Sequence, residues 1–207
     1  MITLHGFPQT RSWRVSWTLE ELGLDWHYQL VNIREGAQRS DQYQQLNPRR
    51  KVPTLVVDDI VITESAAACV FLAERYGNGQ LLPKPGSADS ARHQQLISLI
   101  IAEIEQPLWN IGKHKFALPE AQRVAAMLAT ASWEFSKIMN EVEHEIPANG
   151  FLFGEQIMVA DILLAHTLNW AKRFEMPLSA NAEAYRARIS ARPAAQSSLT
   201  KELAAQN

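Results

Sequence analysis

Two hydroxyl groups and a guanidinium lie close together near the start of the chain. Thr10, Arg11 and Ser12 follow a short β-capable run over residues 2–5 and precede an amphipathic stretch that stops near Gly23. Apolar residues recur in that stretch at helical spacing: Val15, Leu19 and Leu22. Exposed N–H groups and a partial positive charge of about half a unit lie at a helix N-terminus. The turn could therefore bind a carboxylate, a phosphate or a thiolate.

Two further stretches place polar groups at the start of a strand or helix. Val52-Pro53 opens a β-rich run, where proline either caps a sheet edge or turns the preceding backbone outward. The general preference of X–Pro bonds favours the trans form there. Glu64 and Ser65 precede an apolar helix. They either cap that helix or, with its free N–H groups, form a second anion site.

The predicted elements around these groups form a small α/β arrangement. After the first helix, residues 26–33 read as a strand, which predicts a parallel crossover. Residues 34–45 have weak helical periodicity. Two β-rich runs then flank Asp58-Asp59 and predict an antiparallel hairpin. A helix from Glu64-Ser65 to about residue 76 completes the order β-α-β-(α)-β-β-α.

The second half of the chain reads as helical. Gly, Asn, Pro and Ser recur over residues 77–87, so we predict a linker at 79–86 between domains at 1–78 and 87–207. We expect a helix over 87–106 that Pro107 bends or breaks, and another over 159–174. The firmest periodicity predicts a long core helix. Its apolar positions are Val124, Leu128, Ala131, Phe135, Ile138 and Val142.

Composition excludes several classes of function. A net charge of −2 and a pI near 6.3 give no field for nucleic acid. No apolar run is long enough to span a membrane and no signal segment is evident, so we expect a cytoplasmic protein. The histidines lack metal-ligand spacing, and we expect no metal. The single cysteine, Cys69, lies in an apolar helix and reads as an inert small residue.

Four local patterns, in order along nearly the full length, resemble the cytosolic glutathione S-transferases, with features of bacterial serine/threonine-type and zeta-class members. They are residues 10–15 (TRSWRV), 47–55 (NPRRKVPTL), 64–67 (ESAA) and 153–161 (FGEQIMVAD). The resemblance implies a thioredoxin-like α/β N-terminal domain followed by an all-α C-terminal domain. It also implies glutathione as co-substrate and a homodimer.

The resemblance assigns a part of glutathione to each N-terminal stretch. It implies that Pro53 is cis and that the backbone N–H and C=O of Val52 pair with the cysteinyl part of the tripeptide. It implies that Ser65 and the helix N-terminus bind the γ-glutamyl carboxylate, while Glu64 balances the ammonium group. Lys51 then joins Val52 and Pro53 in the binding loop.

Arg50 departs from the family, which usually has glycine at this position. Arg50 and Lys51 read as solvated loop charges unless a ligand carboxylate lies nearby. Some classes of the family place a contact to the glycine carboxylate there, so both residues are candidates for that contact.

The thiolate contact is assigned to the first turn. Thr10 lies four residues before Arg14, the spacing at which several serine-type classes place their thiolate-contacting hydroxyl. Ser12 lies nearer the helix and either caps it or takes that contact instead. We choose Thr10 as hydrogen-bond donor to the sulfur, with positive potential from Arg11 and the helix end.

Residues after Pro107 form an aromatic group that is either core or the wall of an acceptor pocket. In the family this region receives the electrophile, so Trp109, His114 and Phe116 are pocket candidates, although core packing is the simpler reading of Trp109. Residues 153–161 resemble a folding signature in which a Ser or Thr and an Asp cap a helix reciprocally. Met158 replaces the hydroxyl residue here. We expect Asp161 to preserve its half of the motif.

Three functions follow from these patterns. The first is a glutathione transferase that conjugates the thiolate to a hydrophobic electrophile. The second is a glutathione-dependent isomerase, because residues 12–15 (SWRV) also resemble the zeta class, although Thr10-Arg11 replaces its Ser-Cys element. The third is a binding or interaction protein with the same fold and no catalysis.

Overall fold

The computed structural model describes residues 1–206 and divides the chain into two compact units. Unit 1 comprises Met1–Leu82 and the chain from Ser190 onward, and unit 2 comprises Pro83–Ile189. The first elements of unit 1 are β1 (Ile2–Gly6), α1 (Ser12–Glu21), β2 (His27–Leu30), α2 (Asp41–Leu46), β3 (Thr54–Val57), β4 (Ile60–Thr63) and α3 (Ser65–Tyr76). A short 3₁₀ turn, Ala37–Arg39, precedes α2.

The strands of unit 1 form one mixed sheet in the order β2-β1-β3-β4. β1 and β2 are parallel, whereas β3 is antiparallel to both β1 and β4. These pairings confirm the predicted crossover and hairpin. Side chains from the sheet and from α1 and α3 are fully buried together: Leu4, Val15, Leu19, Leu55 and Leu72. Burial of each such side chain stabilises the fold by about 1.5–3 kcal/mol.

Unit 2 is helical throughout its regular elements. They are α4 (Ala88–Leu99), α5 (Glu105–Gly112), α6 (Ala126–Val142), α7 (Val159–Arg173) and α8 (Ala180–Ser190). Short helical turns connect them: π-helical Ile100–Ile104 and Lys113–Ala117, and 3₁₀ Glu120–Gln122 and Glu143–Glu145. The expected thioredoxin-like domain followed by a helical domain is confirmed in these two units.

Pro107 was predicted to bend or break the helix, and the break is wrong, because α5 continues through this residue. The irregularity lies before the proline, as the π-helical turn Ile100–Ile104. Proline lacks an N–H donor and crowds the carbonyl one turn earlier. A widened turn immediately upstream relieves this conflict while the chain stays helical.

Three positions of the predicted core stripe of α6, Ala131, Phe135 and Val142, are buried, whereas Leu128 and Ile138 are only partly buried. Val124 lies before α6 and is 51% exposed. Its backbone N–H donates to Nδ1 of His114. Val124 therefore belongs to the preceding loop, although its apolar side chain continues the helical spacing in the sequence. The buried side chains of α6 are Ala131, Phe135, Met139 and Val142.

Asp161 in the first turn of α7 keeps its half of the capping motif, as predicted. Its carboxylate accepts from the backbone N–H groups of Met158 and Leu152, both at 2.8 Å. The hydroxyl of Tyr185 on α8 donates to it at 2.6 Å. The Asp161 side chain is fully buried and joins the start of α7 to a preceding loop and to α8.

The last helix, α9 (Pro193–Ala204), groups with unit 1 rather than with the helices of unit 2. It packs along α1. The sequence-based boundary placed residues 87–207 together because α9 carries no signal that distinguishes its partner. Polar contacts form part of the junction with α1.

Candidate active site

Three chain segments leave the sheet of unit 1 at the same end. His5 in β1 is paired with Thr54, the first residue of β3, and Thr54 is paired with Thr63, the last residue of β4. The segments that follow β1, precede β3 and follow β4 therefore start side by side. These are the segments with the candidate ligands: residues 7–11, Val52-Pro53 and Glu64-Ser65.

The turn after β1 is held by its own hydroxyl groups. Thr10 donates its hydroxyl proton to the carbonyl of Phe7 at 2.7 Å. The Ser12 Oγ accepts from the Phe7 N–H at 3.2 Å and lies 2.9 Å from Thr10 Oγ1. Because the Thr10 proton points to Phe7, Ser12 is the donor between the two hydroxyls.

Exposure separates the two hydroxyl candidates. Ser12 is fully buried, whereas Thr10 is half-buried and Arg11 beside it is also partly exposed. Ser12 therefore acts inside the turn, and Thr10 presents the hydroxyl that a ligand could reach. A sulfur anion at this position would receive the Thr10 proton in place of the Phe7 carbonyl.

The loop before β3 is fixed by a buried polar network. The carbonyl of Lys51 accepts from the hydroxyl of Tyr43 at 2.6 Å and from the side-chain amide of Asn47 at 2.8 Å. The same two side chains contact Thr54 Oγ1, at 2.9 and 3.1 Å. Two side-chain contacts thus position the residue before the Val52-Pro53 bond, and two position the residue after it.

Val52 presents a free peptide edge. The Val52-Pro53 bond is cis, as the family resemblance implied. Within residues 1–206, neither the N–H nor the C=O of Val52 has a hydrogen-bond partner. An extended peptide could bond to both groups, as a strand adds to a sheet edge.

Arg50 occupies a backbone position that suits glycine, the usual family residue there. Its φ is 57°, in the left-handed region where glycine is the usual residue. The guanidinium donates to the side-chain carbonyl of Gln44 at 3.0 Å, and Arg50 and Lys51 are both exposed. Both cations are therefore accessible at the loop, although Arg50 is engaged with α2.

The start of α3 lacks a side-chain cap, which was one of the two interpretations of Glu64-Ser65. Within the described chain, neither Glu64 nor Ser65 caps the first turn through its side chain. Glu64 has φ 70°, a strained value for this residue type. Ser65 is 5% exposed, and its Oγ accepts from the guanidinium of Arg14 at 3.3 Å. Its own hydroxyl proton can therefore point to a ligand.

Arg14 and Asn47 are polar residues of the site region that sequence reasoning did not assign a role. Arg14 is fully buried in α1 and joins that helix to the start of α3 through Ser65. Asn47 is 2% exposed, and its side chain bonds to the loop that carries Val52. Two features of the sequence could have pointed to these residues: an arginine within an apolar predicted helix, and an asparagine directly before a proline.

The aromatic candidates lie in unit 2. The ring of Trp109 on α5 lies 6.4 Å from that of Trp170 on α7. Phe116 is 58% exposed and packs edge-on against Phe174 at 6.3 Å. His114 uses its Nδ1 to accept from the backbone before α6. The three candidates therefore share one helical region, with Trp109 packed and Phe116 exposed.

Cys69 is not available as a nucleophile. Its side chain is fully buried in α3, and burial raises the pKa of its thiol to about 11. The thiol donates to the backbone carbonyl of Arg14 at 3.4 Å. Both facts agree with the expected packing role.

Across residues 1–206, no group of at least three His, Cys, Asp or Glu side chains is arranged as metal ligands would be. In the same part of the chain, every helix is too short or too polar to cross a bilayer.

Two family descriptions match this chain in the expected order. "Glutathione S-transferase, N-terminal domain" matches residues 10–75, and "Glutathione S-transferase, C-terminal domain" matches residues 100–193. The chain belongs to the glutathione S-transferase family. This confirms the resemblance seen in the four sequence patterns and the expected class, a glutathione-dependent transferase or isomerase.

Individual relatives agree with this membership. A maleylacetoacetate isomerase from Rattus norvegicus is 32% identical over 177 residues, which cover 84% of this chain and 79% of the relative. Glutathione S-transferase Z1 from Arabidopsis thaliana is 30% identical, with 79% and 74% covered. The crystal structure of a glutathione transferase from Methylococcus capsulatus is 28% identical and superimposes with a TM-score of 0.86, covering 99% and 100% of the two chains.

Proposed function

We propose that this chain binds glutathione on unit 1 and directs its thiolate at an electrophilic small molecule. The row of paired residues across β1, β3 and β4 carries the proposal. It brings a hydroxyl-bearing turn, a free peptide edge and an uncapped helix start to one end of the sheet. Family membership supports the same ligand.

The peptide part of glutathione is bound by backbone groups and by the start of α3. Its cysteinyl unit pairs with the N–H and C=O of Val52, next to cis Pro53, as an added strand would. The γ-glutamyl carboxylate accepts from the Ser65 hydroxyl and from the first N–H groups of α3, where the helix dipole is positive. Glu64 lies beside it and balances the ammonium group.

Cations and hydroxyls bind the remaining groups of the tripeptide. Lys51 and Arg50 are exposed at the loop and attract the glycine carboxylate. Thr10 donates a hydrogen bond to the sulfur, while Arg11 and the N-terminus of α1 stabilise its negative charge. Ser12 holds Thr10 in place. The thiolate, rather than the thiol, is the nucleophile.

Unit 2 supplies the electrophile contacts in this proposal. Trp109 is a packed aromatic ring, His114 adds an imidazole and Phe116 is an exposed ring. Such a composition suits a hydrophobic acceptor. The homodimer and the cytoplasmic location are proposed with the enzyme, on the family pattern.

A glutathione-dependent isomerase is the second candidate. Relatives that cover about four-fifths of this chain are named maleylacetoacetate isomerases. The two activities share their first step, addition of the thiolate to the substrate. They differ afterwards, because conjugation retains the carbon–sulfur bond whereas isomerisation breaks it and releases the thiolate again.

Calorimetric binding of glutathione to Ser65→Ala tests the placement of the ligand. Loss of one charge-assisted hydrogen bond costs about 1.5–3 kcal/mol, so we expect Kd to rise about tenfold to a hundredfold. Ser87→Ala is the matched control, since Ser87 caps α4 in unit 2 and accepts from the Ser90 N–H at 3.1 Å. An unchanged Kd in Ser65→Ala would refute the placement.

Product analysis with the wild-type protein separates the three functions. A transferase leaves a stable glutathione conjugate, and an isomerase leaves a rearranged substrate with glutathione unchanged. Binding without either product would identify the non-catalytic alternative.

A further inference from the structure

The last helix contacts the site-bearing helix of unit 1 through a row of polar pairs. Each pair joins a side chain of α1 to one at the start of, or within, α9. The pairs are Trp13–Ser198 at 3.0 Å, Ser16–Glu202 at 2.7 Å, Glu20–Ser197 at 2.8 Å and Glu21–Arg192 at 2.6 Å. The row therefore fixes α9 to the helix whose N-terminus follows the Thr10 turn.

Glu202 is the buried member of this row that also contacts the turn itself. Its side chain is fully buried, and one oxygen accepts from the hydroxyl of Ser16. The backbone N–H of Gln9, next to Thr10, also donates to the carboxyl group. A side chain near the C-terminus thus holds the residue that precedes the candidate thiolate contact.

The second carboxyl oxygen of Glu202 is buried, as is the hydroxyl of Tyr28 on β2. Within residues 1–206, neither Glu202 Oε2 nor the hydroxyl of Tyr28 on β2 has a hydrogen-bond partner. Burial raises the pKa of Glu202 to about 8, and the hydrogen bonds from Ser16 and Gln9 oppose that rise. Burial also raises the pKa of Tyr28, and the charge of Glu202 raises it further. At neutral pH the carboxyl group is therefore largely protonated.

Other charged or titratable groups lie on the elements around Glu202. They are Arg11 in the turn, Arg14, Glu20 and Glu21 on α1, His27 on β2 and Lys201 on α9. Arg14 donates to Ser65, and the Lys201 ammonium lies 3.9 Å from the ring centre of Trp26. Glu20 and Glu21 bond to Ser197 and Arg192, as described above.

We propose that Glu202 is a positioning residue for the thiolate-binding turn, which it holds through the backbone N–H of Gln9, and that its ionisation opposes a thiolate on that turn. The inference rests on the proposed function, because it assigns the sulfur to this turn. An ionised Glu202 places a buried negative charge behind the turn that receives the thiolate. The two negative charges oppose each other, so formation of one disfavours formation of the other.

Tryptophan fluorescence without ligand tests the titration itself, because Trp13 bonds directly to α9. We expect a transition near pH 8 in the wild type and none in Glu202→Gln, which mimics the protonated form. Glu74→Gln, at an exposed position on α3, should retain the transition. Ser16→Ala should move the midpoint to higher pH, since it removes a donor that stabilises the anion. A transition that persists unchanged in Glu202→Gln would overturn the assignment.

Two ligands test the link to the sulfur. Saturating glutathione should raise the midpoint above that seen with S-methylglutathione, whose sulfur carries no charge, because coupling between two sites is reciprocal. Equal midpoints would overturn the positioning role. Failure of both ligands to bind would refute the proposed function alone, since the ligand-free transition still decides the assignment of Glu202.

Activity gives the functional readout. With a midpoint of about 8, kcat/KM of the wild type should fall about tenfold between pH 7 and 9 through loss of the neutral form. Glu202→Gln should lack this fall. A parallel fall in both proteins would contradict the proposal.

Discussion

Thr10 and Ser12 carry the same functional group, and their surroundings give them different tasks. The Ser12 hydroxyl lies in the interior, where it accepts from Phe7 and donates to Thr10. Thr10 lies at the edge of the same network with part of its surface exposed. Burial and hydrogen-bond direction therefore favour Ser12 as a structural hydroxyl and leave Thr10 as the proposed contact to the ligand, a distinction that the residue types alone do not make.

Substitution of each hydroxyl should separate these tasks. Thr10→Ala should lower the rate of thiol transfer while Kd for glutathione changes little, because the lost bond forms only to the ionised sulfur. Ser12→Ala should instead lower the free energy of unfolding by about 1–3 kcal/mol, since it leaves the buried N–H of Phe7 unpaired. Denaturant unfolding and single-turnover kinetics measure the two effects. The reverse pattern would transfer the thiolate contact to Ser12.

The start of α7 shows how a helix can lose one capping side chain and still begin at a fixed residue. Met158 cannot supply the usual hydroxyl, but Asp161 accepts three hydrogen bonds from three parts of unit 2. Burial raises the pKa of Asp161, and the three bonds oppose this effect. Nearby, His93 on α4 accepts from the Ala160 N–H at 3.2 Å, and burial lowers its pKa to about 4.

Asp161→Ala should therefore destabilise the protein more than an ordinary cap loss. Removal of three hydrogen bonds at roughly 1 kcal/mol each gives about 3 kcal/mol. Tyr185→Phe removes one of them and should cost about 1 kcal/mol, which makes it the matched control. Thermal unfolding of both variants measures the difference. Equal melting temperatures for Asp161→Ala and wild type would show that the motif contributes nothing.

Across the whole molecule, local patterns predicted the elements and the family, because strand pairing and helix periodicity depend on neighbouring residues. The site segments were also recognisable, since Val52-Pro53 and Glu64-Ser65 mark element boundaries. Their convergence depends on the pairing of His5, Thr54 and Thr63 across β1, β3 and β4, and the pairing of β1 with β3 was not predicted.

Longer-range relations could not be predicted in the same way. Nothing in the sequence around Glu202 shows that it is buried against Ser16, which lies 186 positions away. The predicted break at Pro107 does not occur, because a π-helical turn directly upstream accommodates the proline. Packing between distant segments decides the burial of Glu202, and local propensity is the weaker effect there.

Activation of glutathione on unit 1 is tested most directly by titration of the bound thiol through the ultraviolet absorbance of its thiolate. A free cysteine thiol has a pKa of about 8.5. We expect the pKa of the bound thiol to be at least about one unit lower, equivalent to about 1.4 kcal/mol of preferential thiolate binding. A bound thiol that titrates at or above the pKa of free glutathione would contradict thiolate activation by this protein.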